Sequence, residues 1–101
     1  METDNIPVSV RGHAPTRGGK DILVKVDASS MMDIMFLDAI ADMMIDHDMY
    51  SFTFLMMDGS LLYLSVSGTW LLNPVHFGDR DVTRGIAYGF ILNALESARL
   101  I

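Results

Sequence analysis

Asp38, Asp42 and Asp46 stand four residues apart, the spacing that lines side chains along one face of a helix. Three carboxylates one turn apart can hold a hard cation or meet the Lys and Arg of another molecule. A cation needs six or more oxygen ligands, and no neighbouring loop supplies the remainder, so no metal is assigned. The basic partner is the better match. From Val26 through Asp79 there is no Lys or Arg, and eight aspartates fall in that stretch. Such a segment projects a negative field that attracts cationic protein surfaces and repels nucleic acid. Met31 and Met35 fall beside the carboxylate line, and Asp48 follows its end. Methionine adapts to varied apolar surfaces. The expected partner-binding set is therefore Met31, Met35, Asp38, Asp42, Asp46 and Asp48. The plain alternative is a solvated helix face that keeps an apolar chain in solution.

Other chemistry finds little support. His13, His47 and His76 stand in no ligand spacing. Asp46, His47 and Asp48 are consecutive, so on a helix they diverge. No Gly-x-Ser-x-Gly elbow is present, and Ser65-Val66-Ser67-Gly68 reads as a strand end. A nucleophile, a base and an orienting acid would have to be gathered from scattered positions by the fold. The stretch GHAPTRGGKD, residues 12–21, has the wrong glycine spacing for a phosphate loop, and Asp21 stands where Ser or Thr must reach magnesium. With no cysteine, thiolate chemistry and disulfides are excluded. The expectation is a non-enzymatic chain without a cofactor.

The elements that must position these residues follow from pattern. Residues 1–20 hold Pro7, Gly12, Pro15, Gly18 and Gly19 and read as an arm or loop, with a possible short edge strand over 8–11. Residues 21–101 read as one α+β domain. Residues 22–26, ILVKV, form a β-branched strand. A helix follows from 31 to 45 or 46, with Ser30 as N-cap and Asp33 at the capping-box position. The segments 49–57 and 60–67 make a hairpin about the two-residue turn Asp58-Gly59. That turn pairs Leu55 with Leu62 and Phe54 with Tyr63, gathering Tyr50, Phe52, Phe54 and Tyr63 on one face. Thr69-Trp70-Leu71-Leu72 is a possible further antiparallel strand, ended by Asn73-Pro74. A second helix, capped by Asp79 or Asp81, spans about 82–98. Its Gly85, Gly89 and Asn93 make a small-residue line expected to pack inside the molecule, with a subunit contact as the alternative. The predicted fold is α+β, with an antiparallel-containing sheet of three to four strands and two helices packed on it, in the order β-α-β-β-(β)-α.

Two functional readings fit. The first is a small acidic binding protein, an inhibitor or modulator docking on a larger basic protein that handles nucleic acid. Phage anti-defence (anti-CRISPR-type) and immunity proteins share that size and charge, and the parallel rests on those two properties. The second is a homo-oligomer holding a small ligand in an aromatic pocket of Tyr50, Phe52, Phe54, Tyr63 and Trp70. Half of the 101 residues are hydrophobic, more than one small interior absorbs. A homodimer or higher oligomer is therefore expected. At a net charge of −6, direct nucleic-acid binding is disfavoured. The acidic N-terminus is no secretory signal, and no apolar run spans a membrane, so the expected location is cytoplasmic.

Overall fold

The computed structural model describes residues 5–66 and 79–101. The possible strand at residues 69–72, with Trp70, and His76 lie outside them. The fold is α+β, a four-stranded antiparallel sheet with two helices. In chain order the elements are β1 (Pro7–Gly12), β2 (Ile22–Lys25), α1 (Ile34–His47), β3 (Ser51–Met56), β4 (Leu61–Ser65) and α2 (Arg80–Ser97). The sheet order is β2-β1-β3-β4. Every neighbouring pair is antiparallel, so β2 and β3 run parallel with β1 between them. Parallel strands need a crossover, and α1 is that crossover.

The first strand differs from expectation. It is an inner strand, paired to β2 and β3 on its two sides, where an arm with an edge strand was predicted. The Pro and Gly that read as loop punctuation have strand roles. Pro7 begins β1 beside an irregularity between Pro7 and Ser9, where a missing N–H is tolerated. Gly12 lies where α1 and the connection from α1 to β3 close over the sheet. A Cβ there would stand 2.5 Å from the Met43 sulfur and 2.6 Å from that of Met49.

Helix α1 starts later than predicted. Asp33 is its N-cap, accepting the Met35 N–H at 3.0 Å and also the Ser29 N–H and hydroxyl. Ser30 instead accepts the Met32 N–H in the preceding turn. At the other end Asp48 takes a left-handed conformation, φ 51°. The Met49 N–H then returns to the Met43 carbonyl at 3.2 Å, the closure that ends many helices.

The hairpin is present with a different register. Met56 N–H donates to the Ser60 carbonyl at 2.8 Å and Gly59 N–H to the Met56 carbonyl at 2.9 Å. The loop is thus three residues, 57–59. A two-residue type I′ turn needs positive φ at both central positions. Gly59 has it, at +88°, but Asp58 does not. The Asp58 carboxylate instead takes the Ser60 N–H and hydroxyl, at 2.8 and 2.5 Å. Leu55 therefore pairs with Leu61, and Thr53 with Tyr63. A one-residue slip exchanges the faces of a strand. Leu62 and Leu64 now share a face with Phe52 and Phe54, while Tyr63 stands on the other.

Both helices contribute to the core on that first face. Val10, Phe52, Phe54, Met56 and Leu64 of the sheet join Phe36, Ile40 and Met44 of α1 and Ala87, Ile91 and Leu95 of α2 in one buried cluster. Phe36 meets Phe54 edge-on, ring centroids 5.2 Å apart, a favoured geometry. Gly85, Gly89 and Asn93 point the opposite way from Ala87 and Ile91 and are exposed. A Cβ added at either glycine meets nothing within 4 Å, so the small-residue line does not pack inside the molecule among the described residues.

Candidate functional site

Two surfaces bring chemistry-bearing residues together. On α1, Asp38, Asp42 and Asp46 form the predicted line, but α2 answers it. Arg80 places both terminal nitrogens on Asp46 at 2.8 Å, and one also reaches Asp42 at 3.1 Å. Arg84 reaches Asp42 at 2.9 Å and stands 3.8 Å from Asp38. The Tyr88 hydroxyl donates to Asp38. Residues 80, 84 and 88 repeat at four just as 38, 42 and 46 do, and they ascend as the aspartates descend. The two helices are therefore zipped by a polar ladder. The Arg80 guanidinium holds the Asp46 carboxyl below the usual carboxylate range, and Asp46 in turn raises Arg80.

This corrects the expected docking array. Two guanidiniums and a phenol of the same chain already occupy carboxylate oxygens that a basic partner would need. The other members of the set scatter. Met31 is buried in the core, Met35 is exposed on α1, and Asp48 ends the helix. The missed residues Arg80, Arg84 and Tyr88 carried a readable signal: their spacing matches the aspartates on a helix of the same protein.

The aromatic set divides as well. Phe52 and Phe54 are buried, Tyr50 is half-buried and Tyr63 is exposed. The shifted hairpin register is the cause: it puts Tyr63 on the sheet face opposite Phe52 and Phe54.

The second surface is the sheet face away from the helices. Register places two rows across all four strands: Leu23, Arg11, Thr53 and Tyr63 in one, and Lys25, Ser9, Leu55 and Leu61 in the next. Tyr63 is 73% exposed, Leu61 53%, Leu23 51% and Leu55 40%. A shallow groove of about 460 Å³ runs between these side chains, with His13 at one end. Arg11 and Lys25 are the only charged residues in the two rows, and neither forms an ion pair among the described residues.

His13 completes a hydrogen-bonded chain on this face. Its Nδ1 lies 3.2 Å from Asp21 Oδ2, and its Nε2 lies 2.6 Å from Thr53 Oγ1. With Nδ1–H donating to the carboxylate, Nε2 of the neutral ring accepts the Thr53 hydroxyl. The Ala14 N–H and His13 hold the Asp21 carboxyl below its ordinary range. Acid, imidazole and hydroxyl thus stand in the order that activates a nucleophile. Acyl transfer also requires donors aimed at the developing oxyanion. Thr53 lies on an inner strand, whose amides are taken up by the ladders on either side. The chain of bonds therefore serves chiefly to fasten the 13–21 loop onto β3.

Among the described residues no helix is long and apolar enough to cross a membrane. Comparison with protein-family models, with curated proteins and with solved structures gives no match.

Proposed function

We propose that this chain is a non-enzymatic protein-binding module that makes contact through the face of its sheet that, among the described residues, no helix covers. One observation carries the reading: both helices pack on one face, and the other presents Leu55, Leu61 and Tyr63 to solvent side by side, with Leu23 across β1 from them. A sheet face left to water alternates to polar residues. A contiguous apolar patch on a small chain marks a contact site. An exposed tyrosine beside an arginine suits such a site, since both residues are enriched among those that dominate binding energy. Docking of this kind fits the inhibitor or modulator expected from size and charge, with the contact moved from the acidic helix to the sheet. The basic partner loses its motive, because Arg80 and Arg84 hold the carboxylates and the charges on the sheet face are cationic.

The test is capture from a lysate of source cells, which hold both untagged copies of the chain and any other partner. Tagged protein carrying Leu61→Lys with Tyr63→Lys is expected to lose what the unaltered chain retains. An Asp42→Asn control is expected to retain it. Full capture by the sheet variant, or loss confined to the aspartate variant, overturns the reading.

A further inference from the structure

Among the described residues the sheet is open, with β2 at one end and β4 at the other. Edge strands template further pairing, and native chains blunt them with charge or Pro. The β2 edge is blunted: it ends in Lys25 and stands between Asp21 and Asp27. The β4 edge is not, since Leu61–Ser65 contains no charged residue and no Pro. Which backbone groups β4 turns outward follows from the hairpin bonds. The Val66 N–H donates to the Tyr50 carbonyl, and the Ser60 carbonyl accepts the Met56 N–H. The even-numbered residues of β4 therefore bond to β3, and the N–H and C=O of Leu61, Tyr63 and Ser65 point away from the sheet. Among the described residues nothing bonds to them. Between this edge and α2 lies a groove of about 240 Å³, walled by Leu64, Phe90, Asn93, Ala94 and Ser97, and no charged residue lines it.

We propose that β4 pairs antiparallel with β4 of a second copy of this chain, about a two-fold axis at Tyr63, so that two sheets become one. Symmetry and charge select that occupant. An antiparallel strand centred on an outward-bonding residue complements its own copy. Tyr63 then faces Tyr63 of the second copy and Leu61 faces its Ser65, each pair exchanging both backbone bonds. On the helix side Leu62, half-buried in one chain, comes opposite Leu64 of the other, beside the groove at α2. A chain of net charge −6 repels its own copy wherever acid meets acid, and neither β4 nor the groove carries any. The two-fold contact uses both β4 edges and leaves the β2 edges outside, so assembly stops at two copies. The proposal stands on the backbone of the edge and is independent of the sheet-face reading. It does set the two open faces on the same side, with the exposed Leu61 and Tyr63 of both copies adjoining. An extended segment of another protein is the rival occupant. It has to bring an uncharged strand of its own, which β4 already is.

The experiment is sedimentation equilibrium joined to amide hydrogen exchange read by NMR, both on the full chain. A mass of twice 11.2 kDa is expected, with no further growth at higher concentration. High salt is expected to leave it undiminished, because the seam holds no ion pair for salt to screen. On dilution to single chains, the amides of Leu61, Tyr63 and Ser65 are expected to lose protection by about tenfold or more, while those of Leu62 and Leu64 keep theirs. Ser65→Pro removes an outward donor and none of the bonds from β4 to β3. It is expected to weaken dimerisation by about tenfold or more, with circular dichroism checking that it folds. Should it not fold, the exchange contrast in the unaltered chain decides alone. A chain that stays at 11.2 kDa, a mass that climbs past two copies, or a dimer whose Leu61, Tyr63 and Ser65 amides exchange freely overturns the proposal. So does protection of those amides only when a different protein is bound. A monomer that still captures another protein through Leu61 and Tyr63 leaves the sheet-face function standing and removes only the pairing. A dimer with the expected exchange pattern that captures nothing but its own copies keeps the pairing and removes the sheet-face function.

Discussion

At the scale of the residue, one backbone angle decides what the hairpin presents. Gly59 holds φ at +88°, a region where a side chain is strained. A Cβ there would meet nothing within 4 Å, so the strain is purely of the backbone. Gly59→Ala is expected to lower stability by about 1 kcal/mol in urea unfolding, with no change in the slope that reports buried surface. The sequence Asp58-Gly59 made a hairpin legible, but its register turned on whether Asp58 would also take positive φ. The answer lay with Ser60, whose N–H and hydroxyl hold the Asp58 carboxylate. A dipeptide signal does not contain that third residue, and the predicted aromatic face failed on it. The left-handed end of α1 escaped similarly, because Asp48 does there what a glycine ordinarily does.

At the scale of the element, α1 was legible in its period and its apolar arc, and its carboxylate line fell where the spacing put it. What one helix could not reveal was the neighbour. Asp38, Asp42 and Asp46 repel when α1 is considered alone, and the ladder to Arg80, Arg84 and Tyr88 offsets that repulsion. The pairs are part-exposed, so each contributes little. Their sign still shows in acid. A carboxyl whose folded pKa lies below its unfolded value stabilises above the unfolded value and loses that contribution as pH falls through the folded one. Asp46 is such a group, lowered from 3.8 by Arg80. The melting temperature is expected to be level from about pH 7 to pH 5 and to fall below about pH 4. In Asp46→Asn the fall should be shallower, because one of the titrating groups is gone. An equal or steeper fall in that variant would remove the ladder from the account of acid stability.

At the scale of the molecule, the fold class was legible and the strand order was not. The count of strands and helices follows from local pattern, whereas β1 reaches β3 across at least 39 intervening positions, those between Gly12 and Phe52, and no local signal spans that distance. Residues 1–20 would be dispensable if they formed an arm. With β1 inside the sheet, deletion of residues 1–12 should abolish cooperative unfolding, since β2 is then parted from β3 by an empty strand position. A truncated chain that melts like the full one would restore the arm.

The inner place of β1 also bears on how the chain is made. The β1–β2 hairpin leaves the ribosome with one side already matched and the other waiting for a strand that has still to emerge. Until residues 51–56 emerge, that waiting side is a template for any extended segment nearby. The nascent protein therefore passes through an interval of exposed hydrogen-bonding capacity that ends only when its own third strand arrives, and slow translation between the two would lengthen it.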